Sequence, residues 1–382
     1  MKIVVAIDSF KGSLSSIELG NIIEENIKKV YEKAEIIKLP IADGGEGTVD
    51  TLVKGSNGKF VEVEVNNPLM KKIKAKYGIL NNKTAIIEMA SASGLPLINE
   101  KDRNPMKTTT YGTGELIKDA IKKGCRDFII GIGGSATNDA GLGMLQALGY
   151  KFYDSKKQEL AYGGEILEKV INFDDSQAIK ELKECKFLIA CDVDNPFYGI
   201  SGAAHVFSRQ KGADEQMVLN LDRGLESLAL FIKNKLNIDI SEISGAGAAG
   251  GLGGGFMAFL NAKLESGVDI ILKEVKLEEH IKDADFVITG EGRIDFQSVM
   301  GKAPTGVSKL CKKHNIPVIA LAGSVADDAD KTHDYGIGAI FSIMNYPISL
   351  EGAMDTSTSK KLLGKNVEEI FRLIKICEEK YN

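Results

Sequence analysis

The amino-acid sequence predicts an α/β fold: a parallel, doubly wound sheet interrupted by a second α/β domain with a mixed sheet. Three observations carry this expectation. Short apolar runs that end in an acid or in glycines, followed by helical periodicity, occur at both ends of the chain, at 2–7 and 35–39 and again at 285–289, 317–321 and 338–344. Between them, residues 59–89 alternate apolar and charged positions, unlike a strand buried on both faces. At 382 residues the chain is also longer than one core usually serves.

In chain order, residues 2–7 read as the first strand, with Asp8 at its carboxyl end. Ser9 to Ser13 form a loop, and Ser15 with Glu18 has capping-box spacing for a helix running through Lys33. A second strand, 35–39, leads into Ile41-Ala42-Asp43-Gly44-Gly45-Glu46-Gly47-Thr48, again an acid and glycines ahead of a helix at 49–54. Open parallel sheets bind ligands beyond the carboxyl ends of their strands, which makes Asp8, Lys11, Asp43 and Glu46 candidates. The pattern then changes: Val61, Val63 and Val65 share one face, and Ile73, Ala75, Tyr77 and Ile79 alternate with Lys72, Lys74 and Lys76. Asn81-Asn82 is a turn, and 84–89 a third strand. This meander places a domain boundary near residue 60, giving 1–60 plus 280–382 as one discontinuous domain and 61–279 as an insertion.

Within the insertion, 103–114 is a polar loop before a helix at 115–123, and its threonines 108–110 suit hydroxyl contacts to an anion. Residues 128–144 hold the densest signal. A buried strand at 128–132 meets Gly133 and Gly134, which permit a tight turn with positive φ. Thr137, Asn138 and Asp139 are helix-starting residues, and Met144, Leu145 and Leu148 form an apolar helical face. Such a strand–turn–helix leaves backbone N–H groups that suit a phosphate or carboxylate, although a plain βα connection has the same pattern. A strand at 187–190 carries Asp192 and Asp194 beyond its end, and 214–236 is a long amphipathic helix. The glycines of 245–255 precede a helix at 256–264. Their G-x-G-x-x-G match follows no strand, so close backbone approach to a phosphate or to another helix explains Gly250 and Gly251 better than a dinucleotide fingerprint does.

The wound pattern resumes with the strand 285–289, which ends in Glu291, Arg293 and Asp295. A helix at 305–314, strands at 317–321 and 338–344 and a helix at 367–380 follow. Two early and three late strands make one five-stranded, flavodoxin-like sheet.

Composition narrows the function. The 43% apolar and 26% charged content is that of an ordinary soluble enzyme, and a net charge of -5 without a basic block argues against nucleic acid or an anionic membrane as partner. The N-terminal apolar run stops at Asp8, too early for a signal peptide, and no stretch approaches membrane-spanning length. Five cysteines without paired spacing point to reduced thiols in the cytoplasm. His205 and His333 read as ordinary surface or core residues, and no His/Cys metal signature occurs. The polar residues at strand ends, with Ser135, Asn138, Asp139 and Lys302 among them, combine carboxylates, cations and glycine N–H groups. That combination fits phosphoryl transfer, which needs metal ligands, charge neutralisation and a carboxylate to receive a hydroxyl proton. Gly301-Lys302-Ala303 is not a Walker A loop, Asp192-Val193-Asp194 lacks the nearby hydroxyl of an aspartyl-phosphate site, and there is no nucleophile elbow.

From residue 1 to about residue 325 the chain resembles the type I glycerate kinases. The likeness rests on Asp8-Ser9-Phe10-Lys11, Ala42 to Thr48, Arg103-Asn104-Pro105 with Thr108-Thr109-Thr110, Gly112 to Leu116, 131–143, Ala190 to Val193 with Asn195-Pro196, Gln210 to Ala213, 245–253 and Ile288 to Asp295, all in order. The resemblance implies a flavodoxin-like domain with an inserted α/β domain, an active site between them, and in-line phosphorylation of D-glycerate to 2-phosphoglycerate by ATP with Mg²⁺. It makes Asp192 the candidate base, with Asp43 or Asp295 as alternatives, and Asp8, Asp43, Glu291 and Asp295 the candidate metal ligands. Lys11, Arg293 and Lys302 would neutralise the glycerate carboxylate and the moving phosphoryl group. Ser9, Thr109, Gly133, Gly134, Ser135, Asn138, Asp139, Gly250 and Gly251 would contact substrate or phosphates. Ile7, Gly12, Ala140 and Arg209 depart from the family pattern, where proline, an acid, glycine and proline are common. Alternatives are 3-phosphoglycerate as product, another small hydroxy acid as substrate, a nicotinamide-dependent hydroxy-acid dehydrogenase using 245–250, or an organic-acid-binding protein. A monomer or homodimer is expected.

Overall fold

The structure is a computed structural model that describes residues 1–42, 45, 47–56, 58–299 and 302–381. The chain divides into two compact units, Met1–Asp43 with Lys54–Ser56 and Val268–Asn382, and Gly44–Val53 with Asn57–Gly267. The strands are, in chain order, β1 (Lys2–Ile7), β2 (Glu35–Pro40), β3 (Lys59–Asn66), β4 (Lys72–Leu80), β5 (Thr84–Glu88), β6 (Asp127–Gly131), β7 (Lys151–Tyr153), β8 (Asn172–Asp174), β9 (Lys186–Ala190), β10 (Lys263–Glu265), β11 (Phe286–Ile294), β12 (Val318–Val325) and β13 (Ala339–Ser342).

The first unit is a parallel sheet of order β2-β1-β11-β12-β13. Numbered within the unit this is 2-1-3-4-5, so the winding direction reverses between β1 and β11, where a crevice opens at the carboxyl ends of the strands. Residues 3–7 of β1 are wholly buried because helices cover both faces. The helix Ser16–Val30 packs with Thr356–Tyr381 over Ile3, Val5 and Ile7, and Ala303–Lys313 packs against β11. The Ser15–Glu18 capping box forms as the spacing requires, and the helix it starts ends at Val30 rather than Lys33.

Two elements of this unit are longer than periodicity indicates. Strand β11 continues through Glu291 and Arg293, which pair with Ala322 and Ser324, instead of ending at Thr289. Glycines that signal a loop here serve close strand approach: a Cβ on Gly290 would stand 1.9 Å from the Leu321 carbonyl oxygen. The closing helix begins at Thr356, not Val367, because the Asp355 carboxylate accepts from the Thr358 amide and from the Ser357 and Thr358 hydroxyls.

The second unit holds a six-stranded mixed sheet, β10-β9-β6-β5-β4-β3. The alternating stretch forms antiparallel β3–β4 and β4–β5 ladders, and β5, β6, β9 and β10 run parallel. The core under this sheet includes Tyr77, Phe128, Phe152, Phe187 and Phe256. The helix expected at 115–123 starts earlier, at Tyr111. That expected at 256–264 starts inside the glycine run, at Ala248, interrupted by left-handed φ at Ala249, Gly250 and Gly251, and stops at Leu260 to leave room for β10. All five cysteines are free thiols, and among the described residues no helix is long and apolar enough to cross a membrane.

Ala140 is buried at φ 51, in the left-handed region. Glycine there relieves roughly 1 kcal/mol of backbone strain but loses a buried methyl and adds unfolded-state freedom of similar size. Ala140→Gly is therefore expected to leave the unfolding free energy within about 0.5 kcal/mol, and Ala140→Val, β-branched at positive φ, to lower it by more than about 2 kcal/mol. Equal denaturation midpoints for the valine variant and the parent would contradict this account.

Candidate active site

Each unit contains a cluster of polar side chains. In the first, a cavity of about 780 Å³ opens beyond the carboxyl ends of β1, β12 and β13 and along β11, with Asp8, Ser9, Lys11, Glu291, Arg293 and Lys302 at its charged end. Asp8 directly follows β1; its amide donates to the Gly290 carbonyl at 3.0 Å, and its Oδ1 accepts from the Ser9 amide at 2.6 Å. Glu291 accepts from the Ser298 hydroxyl at 2.6 Å and pairs with Lys302 Nζ at 3.2 Å. Burial pushes the Glu291 carboxyl above the usual carboxylate range, opposed by Ser298 and Lys302. Asp295 lies 3.3 Å from Arg293 Nε and 3.9 Å from Lys302 Nζ. Its buried Oδ1 has no hydrogen-bond partner among the described residues.

A buried carboxylate oxygen without a hydrogen-bond partner among the described residues, beside a second carboxylate, is a hard, all-oxygen donor set that suits Mg²⁺. No group of three or more potential ligands gathers among the described residues, so a cation here would take water and phosphate oxygens for the rest of its shell, as Mg²⁺ usually does. Asp43, a candidate base and metal ligand, lies outside the described residues, as does Glu46.

The second cluster follows β6. Asp139 is wholly buried and accepts from the Thr110 amide (2.8 Å), the Thr110 and Thr109 hydroxyls (2.9 and 3.2 Å) and the amides of Gly141 and Gly143 (3.2 and 3.3 Å). Burial raises its pKa against these bonds. The anion that the threonines serve is thus internal. Thr109 and Asp139, expected at substrate, instead tie two loops together, and the Thr110 hydroxyl also accepts from the Met144 amide at 2.9 Å. Gly143 is obligatory here, because a Cβ would lie 1.9 Å from Thr109 Oγ1.

Residues 137–139 are not helical; Ala140 and Gly141 turn left-handed first, and the helix runs over Leu142–Ala147. Gly134 alone of the glycine pair has positive φ. Gly250 and Gly251 are buried, and their close approach is to protein: a Cβ on Gly250 would stand 2.2 Å from the Thr137 carbonyl oxygen, and one on Gly251 2.9 Å from the Phe197 ring. Of the two options the glycine run left open, packing rather than phosphate contact takes this space.

Lys211 was missed as a site residue. It is only 1% exposed, and its Nζ donates to Ser135 Oγ at 2.8 Å and to the Thr137 carbonyl at 2.7 Å. Burial lowers its pKa to about 7, with Asp139 opposing the shift. A lone lysine in Gln210-Lys211-Gly212 carries no local sign of burial, so only its place in the resemblance marked it. Beside it, the buried Asn138 amide nitrogen and oxygen and Thr137 Oγ1 have no hydrogen-bond partner among the described residues. Gly133 and Gly134 are exposed at the rim of this turn. Asp192 is exposed just beyond β9, one oxygen accepting from the Gly267 amide at 2.9 Å, and Asp194 accepts from the Ser244 hydroxyl at 2.7 Å.

Residues 3–375 match the glycerate kinase family. The chain is 46% identical to the glycerate kinase of Bacillus cereus, with 100% of both chains covered. It is 48% identical to the glycerate 2-kinase of Escherichia coli K12 over 90% of this chain and 91% of that one. A crystal structure from Salmonella typhimurium LT2, provisionally named glycerate kinase 2, superposes with a TM-score of 0.91 at 42% identity, covering 99% of each chain.

Proposed function

The chain belongs to the glycerate kinase family, and on that premise we propose that it transfers the γ-phosphoryl group of ATP to the 2-hydroxyl of D-glycerate. The products are 2-phosphoglycerate and ADP, formed by direct in-line displacement without a phosphoenzyme. One observation carries this reading: Glu291 and Asp295 share Lys302, with Arg293 and Asp8 alongside, at the reversal of a parallel sheet. Carboxylates for a divalent cation beside cations for phosphoryl oxygens are what phosphoryl transfer requires of a protein.

In this mechanism Lys11, Arg293 and Lys302 neutralise the phosphoryl oxygens and the glycerate carboxylate. Glu291, Asp295 and Asp8 would hold Mg²⁺, which would offset the charge of the polyphosphate. Asp192, oriented by the Gly267 amide, receives the proton of the 2-hydroxyl. Ser135, Asn138 and the Gly133–Gly134 rim offer donors to an anionic oxygen, and we assign both clusters to one reaction. The 2-1-3-4-5 strand order supports reading the first unit as a flavodoxin-like domain, with the second inserted between about residues 60 and 280. We place the enzyme in the cytoplasm, where its free thiols are stable, as a monomer or homodimer.

The test is ATP plus D-glycerate coupled to enolase and pyruvate kinase, with phosphoglycerate mutase left out. Pyruvate formation is expected. ADP release without pyruvate would move the phosphate to the 3-hydroxyl, and no ADP release would overturn the proposal.

A further inference from the structure

The cavity of the first unit is far larger than a three-carbon acid needs, and its lining combines charged and apolar side chains. Its volume of about 780 Å³ lies in the range of sites for nucleotide-sized ligands. Besides Asp8, Lys11 and Lys302 the wall carries apolar side chains, Ile343 at the end of β13 and Tyr346, Pro347, Ile348, Leu350 and Met354 in the segment that follows. Tyr346 is 54% and Leu350 76% exposed, an unusual outlay of apolar surface in the segment that follows a strand. Gly292 and Gly323, which carry no side chain, also line the cavity. The cavity extends from the reversal between β1 and β11, the place where doubly wound sheets take nucleotides, across to the ends of β12 and β13.

We propose that this cavity is the nucleotide site, with the base and ribose against Tyr346, Leu350 and Met354 and the polyphosphate running over Gly292 and Gly323 to Lys11 and Lys302. The inference rests on ATP being the phosphoryl donor. It places recognition of the purine in the segment 343–354, which follows β13. Gly12 contributes indirectly: at φ 80 it lacks the Cβ that would stand 2.7 Å from Met354 Cε, which lets Met354 lie against the loop after β1. A family acid at position 12 would displace that wall.

The experiment compares the parent chain with Tyr346→Ala and Leu350→Ser, both exposed enough that truncation leaves the core untouched. Calorimetry with ATP and separately with inorganic tripolyphosphate separates the contribution of the base and ribose from that of the phosphates. ATP affinity is expected to fall about ten-fold in Tyr346→Ala, the size of one base–aromatic contact, with tripolyphosphate affinity and the KM for D-glycerate unchanged. Photolabelling with 2-azido-ATP is expected to mark the peptide containing 341–354. Unchanged ATP affinity in both variants, or a label confined to residues 57–267, would overturn the inference while leaving the kinase reading intact. ATP bound at Tyr346 without glycerate phosphorylation would support the site and sink the proposed function instead.

Discussion

Replacing Asp192 by asparagine is expected to reduce turnover by about 10²–10⁴-fold, the usual contribution of a positioned general base. Asparagine keeps an acceptor oxygen for the Gly267 amide, so the loop retains its anchor and only the proton-accepting capacity is lost. The side chain is exposed, so thermal unfolding is expected to stay within a degree or so of the parent. KM for ATP should change little, because this carboxylate belongs to the acceptor side of the reaction. Turnover within ten-fold of the parent, in a folded variant, would remove Asp192 from the mechanism and direct attention to Asp295, whose buried Oδ1 has no hydrogen-bond partner among the described residues.

The second large effect concerns stability and has a pH signature. Lys211 holds Ser135 and Thr137 from inside the second unit, and its pKa stands at about 7 against 10.5 for an ordinary lysine. Between those values the unfolded chain binds a proton that the native chain has released, so native stability rises with pH across this window. Below pH 7 both states hold the proton and this contribution is lost. Lys211→Met has no such group, so the stability of the parent relative to the variant is expected to grow by about 3 kcal/mol between pH 7 and pH 9.5. Paired urea denaturation of the two proteins at each pH measures the difference, in which all other titrations cancel to first order. Parallel changes in both proteins would mean that Lys211 keeps its proton throughout, and would tie its role to charge on Asp139 instead.

Much of this architecture is readable locally. The capping box at Ser15 and Glu18 depends on a three-residue spacing, and the β3–β4 pair on strict alternation; both are properties of neighbouring residues. Strand β11 is different. Gly290 looks like the end of a strand until β12 lies beside it, since what a glycine is for depends on what occupies the missing Cβ position. The same holds for Gly250 and Gly251, where the neighbours are the Thr137 backbone and the Phe197 ring.

The candidate residues divide along the same line. Asp8 and Asp295 directly follow strands and Glu291 lies in the carboxyl-terminal half of β11, so β-sheet topology alone brings them to one edge. Thr109, Asp139 and Lys211 are polar residues whose meaning depends on burial. A carboxylate in water is a ligand for substrate; the same carboxylate enclosed by two threonines and three backbone amides is a brace. By itself the sequence determined the element types, the parallel and mixed sheets, and the family. The tertiary structure alone decided which polar groups are sealed inside and which line a cavity, because desolvation depends on neighbours distant along the chain.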